Sequence, residues 1–205
     1  MLYNNSCYVT IVIFYEVKEM PPKAKLTKEQ IIESAVEEVR ACGYEALNAR
    51  SLASRLGCST TPIFSCFKNM EEVKKEVIRR ATEVYSSFID EGLAKTMPFK
   101  GVGQGYIRFA KAEPQLFQLL FMTSHDKAAA LPAADPNSPR VADAAEAASG
   151  LSREKVKKLY LEMWIFTHGI AVMLATKIAD FTEEEISGML TDAFMGIKNK
   201  LKGEE

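Results

Sequence analysis

With 205 residues, 47% of them hydrophobic and 26% charged, the chain has the composition of a folded globular protein. It has room for one large domain or a small head on a larger body. A formal net charge of −1 excludes nucleic-acid binding by overall basicity. The four cysteines, Cys7, Cys42, Cys58 and Cys66, have neither zinc-finger nor redox-motif spacing, which excludes a disulfide-stapled secreted scaffold. They read as reduced thiols of a cytoplasmic protein, with Cys42 and Cys66 expected in the interior.

Residues 1–19 do not match the rest. Cys7 to Tyr15 is β-branched and aromatic, too short to span a bilayer, and without the preceding positive charge of a signal peptide. Met20-Pro-Pro-Lys looks like the natural start of the protein. Residues 1–19 are therefore expected to be an N-terminal extension packed against the body or a partner chain, with a membrane or dimer tether as the weaker reading.

From Leu26 onward the periodicity is helical. Thr27 and Gln30 form a capping box, and Ile31, Ile32, Ala35, Val36 and Val39 make one apolar face that ends near Gly43. Ala49, Leu52, Ala53 and Leu56 then recur at helical spacing before Gly57. Ser59 is expected to cap a second short helix, with Ile63, Phe64 and Phe67 on its buried side and Thr60, Thr61 and Ser65 on its polar face. Two short helices joined by a tight glycine turn are the helix-turn-helix pattern, which places small polar side chains in a DNA major groove. Residues 20–80 hold 11 Lys/Arg against 8 Asp/Glu, a basic head on an acidic body, although chance clustering of solvated charge would look similar.

Asn69, with Glu72 three residues on, caps a long helix running through Val73, Val77, Ala81, Tyr85 and Ile89 to Gly92 and Met97-Pro98. A domain boundary is expected inside it near residue 80. This divides the chain into the extension at 1–19, a helix-turn-helix head at 20–80 and a helical body at 81–205. Gly101-x-Gly-x-Gly105 lacks the preceding strand and the lysine of a phosphate loop, so the glycines read as small residues at a helix start. Pro114 opens a helix through Met122, and a loop rich in Ala and Pro contains a short helix near Val141–Ala148.

Val156 to Ile178 is apolar all round, so a helix there should be buried on several sides; Glu162, His168 and Lys177 argue against a membrane span. Thr182 and Glu185 cap a last helix with a stripe from Ile186 to Leu201. These two helices, about 152–201, are expected to form a homodimer interface; the alternative is that they close a monomeric core.

The runs Ala46-Leu47-x-x-Arg50-x-Leu52-Ala53, Leu56-Gly57-Cys58-Ser59, Ile63-Phe64-x-x-Phe67 and Asn69-x-Glu71-Glu72-Val73 resemble the tetracycline-repressor (TetR) family of bacterial regulators. Trp164-x-x-x-His168-Gly169 is similar to the subgroup whose regulatory domain is named for Trp, His and Gly. The resemblance implies an all-α homodimer with helix-turn-helix heads, joined by a long helix to bodies that bind a small hydrophobic effector and release a palindromic operator. Where the family commonly has a DNA-contacting tyrosine this chain has Phe64, and where it has a lysine this chain has Met70. Lys68, Asn69, Lys74 and Lys75 lie near enough to replace them.

Within that frame Thr60, Thr61 and Ser65 are the base-edge candidates, and Arg50, Ser51, Ser59, Phe64, Lys68 and Asn69 are the backbone candidates. Lys23 and Lys25 belong to an arm ahead of the first helix. For each lysine a plain surface charge is an equal reading. The effector candidates are Tyr106, Phe109, Phe117, Phe121, Met122, Trp164, His168 and Met173, any of which could equally be a core residue. No metal set, cofactor motif or catalytic dyad is legible. Two competing readings remain: a dimeric DNA-binding protein without an effector, and a helical enzyme or carrier using His168.

Overall fold

The computed structural model describes residues 26–123 and 135–203. The extension at 1–19, Lys23, Lys25 and His125 lie outside them. Among the described residues the fold is all α, with nine α-helices and no strand.

The head begins with α1 (Lys28–Cys42). Its capping box forms as expected: Gln30 N–H donates to Thr27 Oγ1 at 3.2 Å and Thr27 N–H to Gln30 Oε1 at 2.9 Å. Gly43, at φ 82°, ends the helix in a conformation that other residues resist. A 3-10 turn leads to α2 (Ala49–Arg55), where Asn48 Oδ1 accepts from the Arg50 and Ser51 amides. Arg55 Nε donates to the buried Glu38 carboxylate at 2.6 Å, tying α2 to α1. Gly57, at φ 64°, makes the turn into α3 (Thr61–Cys66). Ile31, Leu47, Leu52, Ile63, Phe67 and Val73 fill the space between these helices.

The long α4 (Met70–Leu93) buries Val73, Val77, Ala81, Tyr85 and Ile89, one residue per turn. It packs on α1 at one end and on α5 (Pro98–Ala112) and α6 (Pro114–Phe121) at the other. Residue 80 falls within its unbroken length. The three clustered glycines lie inside α5 rather than at its start. A Cβ on Gly101 would collide with the Gly92 carbonyl of α4, and one on Gly105 with the Phe88 carbonyl. They are bare so that two helix backbones can touch.

The body is completed by α7 (Ser138–Ser149), α8 (Arg153–Ala175) and α9 (Glu183–Gly203), with α5 packed against α4, α6, α7, α8 and α9. Head and body meet where Arg40 of α1 grips Glu113 at the mouth of α6, through Nε at 2.9 Å and Nη2 at 2.7 Å.

Several expectations change. Cys42 is exposed at the end of α1, and Cys66, the last residue of α3, is half-buried against the edge of the head core, its Sγ 3.6 Å from the Leu26 carbonyl. Phe64 is 44% exposed, since only Ile63 and Phe67 reach the head core. On α8, Leu161, Ile165 and Phe166 stay exposed, so the helix is covered on fewer sides than its composition suggests.

Candidate functional site

Two features stand out: the outer face of α3 and a cavity in the body. On α3, Thr61, Phe64 and Ser65 are exposed at helical spacing, Lys68 is exposed just past the helix end, and Thr60 is half-buried at the N-cap. The expected cap by Ser59 does not form. Thr60 is the N-cap residue, in right-handed helical geometry, and its side chain makes no cap bond. Pro62 explains this. At the second helical position it brings no N–H, and the next donor, Ile63 N–H, bonds the Thr60 carbonyl at 3.1 Å. The threonine hydroxyls are therefore left uncommitted to the helix start. Ser65 Oγ, by contrast, donates to the Pro62 carbonyl at 2.7 Å.

Two of the backbone candidates have local work. Ser51 Oγ accepts from Asn48 N–H at 3.1 Å and donates to the Ala46 carbonyl at 2.9 Å, completing the α2 capping box. Asn69 Oδ1 accepts from Glu72 N–H at 3.0 Å. Arg50, Ser59 and Lys68 are exposed, and neither Arg50 nor Lys68 has an ion-pair partner among the described residues. Lys74 pairs with Glu71 at 3.9 Å and lies over the Tyr44 ring, so it is less open than Lys68. Met70 packs against the core.

The body holds a cavity of about 510 Å³ between α4, α5, α7, α8 and α9, open to the surface beside the exposed Met97 and Met195. Of the eight effector candidates, Tyr106 and Trp164 line it. His168 sits behind them: its Nδ1 is 2.9 Å from Tyr106 Oη, and its ring stacks on Trp164 with centroids 4.9 Å apart. Burial lowers the His168 pKa and raises that of Tyr106, so a neutral imidazole meets a protonated phenol. Phe109 and Phe117 are fully buried in the core, and Phe121 packs edge-on to Tyr85 at 5.2 Å. Met122 is exposed, and Met173 lies against the core away from the cavity. Phe117 and Phe121, on α6, pack where that helix meets α1, α4, α5 and α8 and do not line the cavity.

The residues missed include Tyr85, Phe99, Tyr160, Met163, Thr167 and Phe194. All lie on helical stripes that read as packing. A signal was present in Tyr85 and Tyr160, polar-tipped rings that need a partner when buried. Tyr85 Oη donates to Asp135 Oδ2 at 2.5 Å, and Tyr160 Oη is 3.2 Å from Ser138 Oγ. Among the described residues there is no cluster of metal-ligating side chains, and no helix is long and apolar enough to cross a membrane.

Residues 99–189 match a family model described as the tetracyclin repressor-like C-terminal domain. Within the matched residues Trp164 and His168 stack on each other. No curated protein matches the chain.

Proposed function

We infer, from the match of residues 99–189 to a tetracyclin repressor-like C-terminal domain and the resemblance of the head to the tetracycline-repressor (TetR) family, that this chain is a cytoplasmic transcriptional repressor that binds a palindromic operator as a homodimer and releases it when a small hydrophobic molecule enters the body. The head, residues 20–80, reads DNA; the body, 81–205, dimerises and holds the effector. The observation that carries this reading is the pairing of an exposed Thr61/Phe64/Ser65 face on a two-turn helix with a 510 Å³ aromatic-walled cavity in the same chain. A helix of that size fits a major groove, and a cavity of that volume suits a drug-sized ligand.

Thr60 and Thr61 meet base edges, with Ser65 beside them. Arg50, Ser59 and Lys68 meet phosphates, and Phe64 stacks its exposed ring against the sugar-phosphate wall. Ser51 and Asn69 contribute by fixing the helix starts, whose free amides also attract phosphate. The cavity favours the effector-responsive reading over an effector-free scaffold. In the dimer the two heads stand about 34–36 Å apart, one turn of duplex.

The test is a salt-controlled gel shift on duplexes selected from random sequence by the full-length chain. The wild type should retain a palindrome, and Thr61→Ala should weaken retention about fivefold, the contribution of one hydroxyl hydrogen bond. Failure to enrich any palindrome would overturn the reading.

A further inference from the structure

We propose that the body cavity takes a lipophilic organic cation, an amine or quaternary onium whose charge faces Asp135; this rests on reading the cavity as the effector site. The walls are aromatic, with Tyr85, Phe99, Tyr106, Tyr160, Trp164 and Phe194 from four helices. Into them opens one carboxylate. Asp135 is held in place by Tyr85 Oη on one oxygen at 2.5 Å and by Asn137 N–H on the other at 2.8 Å. Both partners are neutral, and no Lys, Arg or His among the described residues forms an ion pair with it. Asp135 is half-buried beside apolar walls, so a counter-charge there is screened less than it would be in open water.

Among the described residues Asp135 is the one carboxylate that lines the cavity. The other charged residue lining the cavity among the described residues, Lys100, donates to Thr191 Oγ1 at 2.9 Å, on α9. Lys100 also borders a shallow depression with Thr96 and Met97, which places it at the rim. The π faces add to the preference, because a desolvated cation near Tyr or Trp rings is attracted to them and an anion is repelled. The apolar remainder of the ligand would lie against Phe99, Met163 and Phe194.

Trp164, the only tryptophan, lines the cavity and reports on it. The experiment titrates tetraphenylphosphonium and tetraphenylborate, matched in size and shape but opposite in charge, into the full-length protein and follows Trp164 fluorescence. The cation should bind saturably and at least about tenfold tighter than the anion. Asp135→Asn, which keeps an acceptor for the Asn137 N–H and can donate from Nδ2 to the Tyr85 hydroxyl oxygen, should abolish that preference. Tyr85→Phe, which removes a hydroxyl but no charge, should keep it, with circular dichroism checking that both variants fold. Equal or tighter binding of the borate, or an unchanged preference in Asp135→Asn, overturns the cation inference while leaving the cavity as an effector site. If neither ion nor neutral triphenylmethanol perturbs Trp164, both the inference and the effector reading fall.

Discussion

Pro62 decides much about the outer face of α3. Its missing N–H removes the usual partner of an N-cap hydroxyl, leaving Thr60 and Thr61 without duties at the helix start. The sequence shows the proline, the threonines and the stripe of Ile63 and Phe67; the outward turn of Phe64 follows only from how α3 seats on α1 and α2. His168 illustrates the opposite case. A titratable ring in an apolar helix invites a catalytic or ligand role, yet here it supports Tyr106 and Trp164 from behind. Its lowered pKa has a measurable consequence. Below its ordinary value near 6.5 the unfolded chain takes up a proton that the folded ring resists, so stability falls as pH drops through that range and is unaffected by this group above it. Thermal unfolding from pH 7.5 to 5.5 should show this decline, and His168→Phe should flatten it. The variant should also be less stable at pH 7.5 by about 1–3 kcal/mol, because the Tyr106 hydroxyl loses its partner.

At the scale of elements, most boundaries are legible because capping chemistry is local. Thr27/Gln30, Asn69/Glu72 and Thr182/Glu185 all form the hydrogen bonds that their spacing implies. The glycines of α5 are legible only as small residues, since their reason lies in another helix. Gly101 and Gly105 face the backbone of α4, which allows α5 to sit close enough for Tyr106 and Phe109 to reach Tyr85. Gly105→Ala should force the helices apart. A loss of about 1–3 kcal/mol is expected, visible as a drop of several degrees in the melting temperature by circular dichroism. An unchanged melting temperature would mean that α4 shifts freely, against the close packing seen here.

For the whole molecule, the open face of α8 presents exposed apolar side chains. Leu161, Ile165 and Phe166 are 45%, 57% and 38% exposed, and Met195 of α9 is 47% exposed. Gly169, Gly188 and Gly196 leave open space along the same two helices. Side chains this apolar gain about 1.5–3 kcal/mol each on burial, and bare glycines let a second copy approach closely. Ile165→Glu should convert a dimer to a monomer in analytical ultracentrifugation and weaken operator retention at least about tenfold, because one helix-turn-helix holds DNA poorly alone. A variant that remained dimeric would remove α8 from the interface.

The sequence by itself determined the all-α class, the helix-turn-helix order and the resemblance of the head, because periodicity, caps and turn glycines act within a few residues of one another. Only the tertiary structure decided the cavity. Its walls come from positions as far apart as Tyr85, Tyr106, Asp135, Trp164 and Phe194, each of which reads alone as packing or loop. A cavity is the space that packing leaves, and no local pattern specifies it. The clasp between Arg40 and Glu113 has the same character: two charges 73 positions apart, joined by the fold that connects the head to the body.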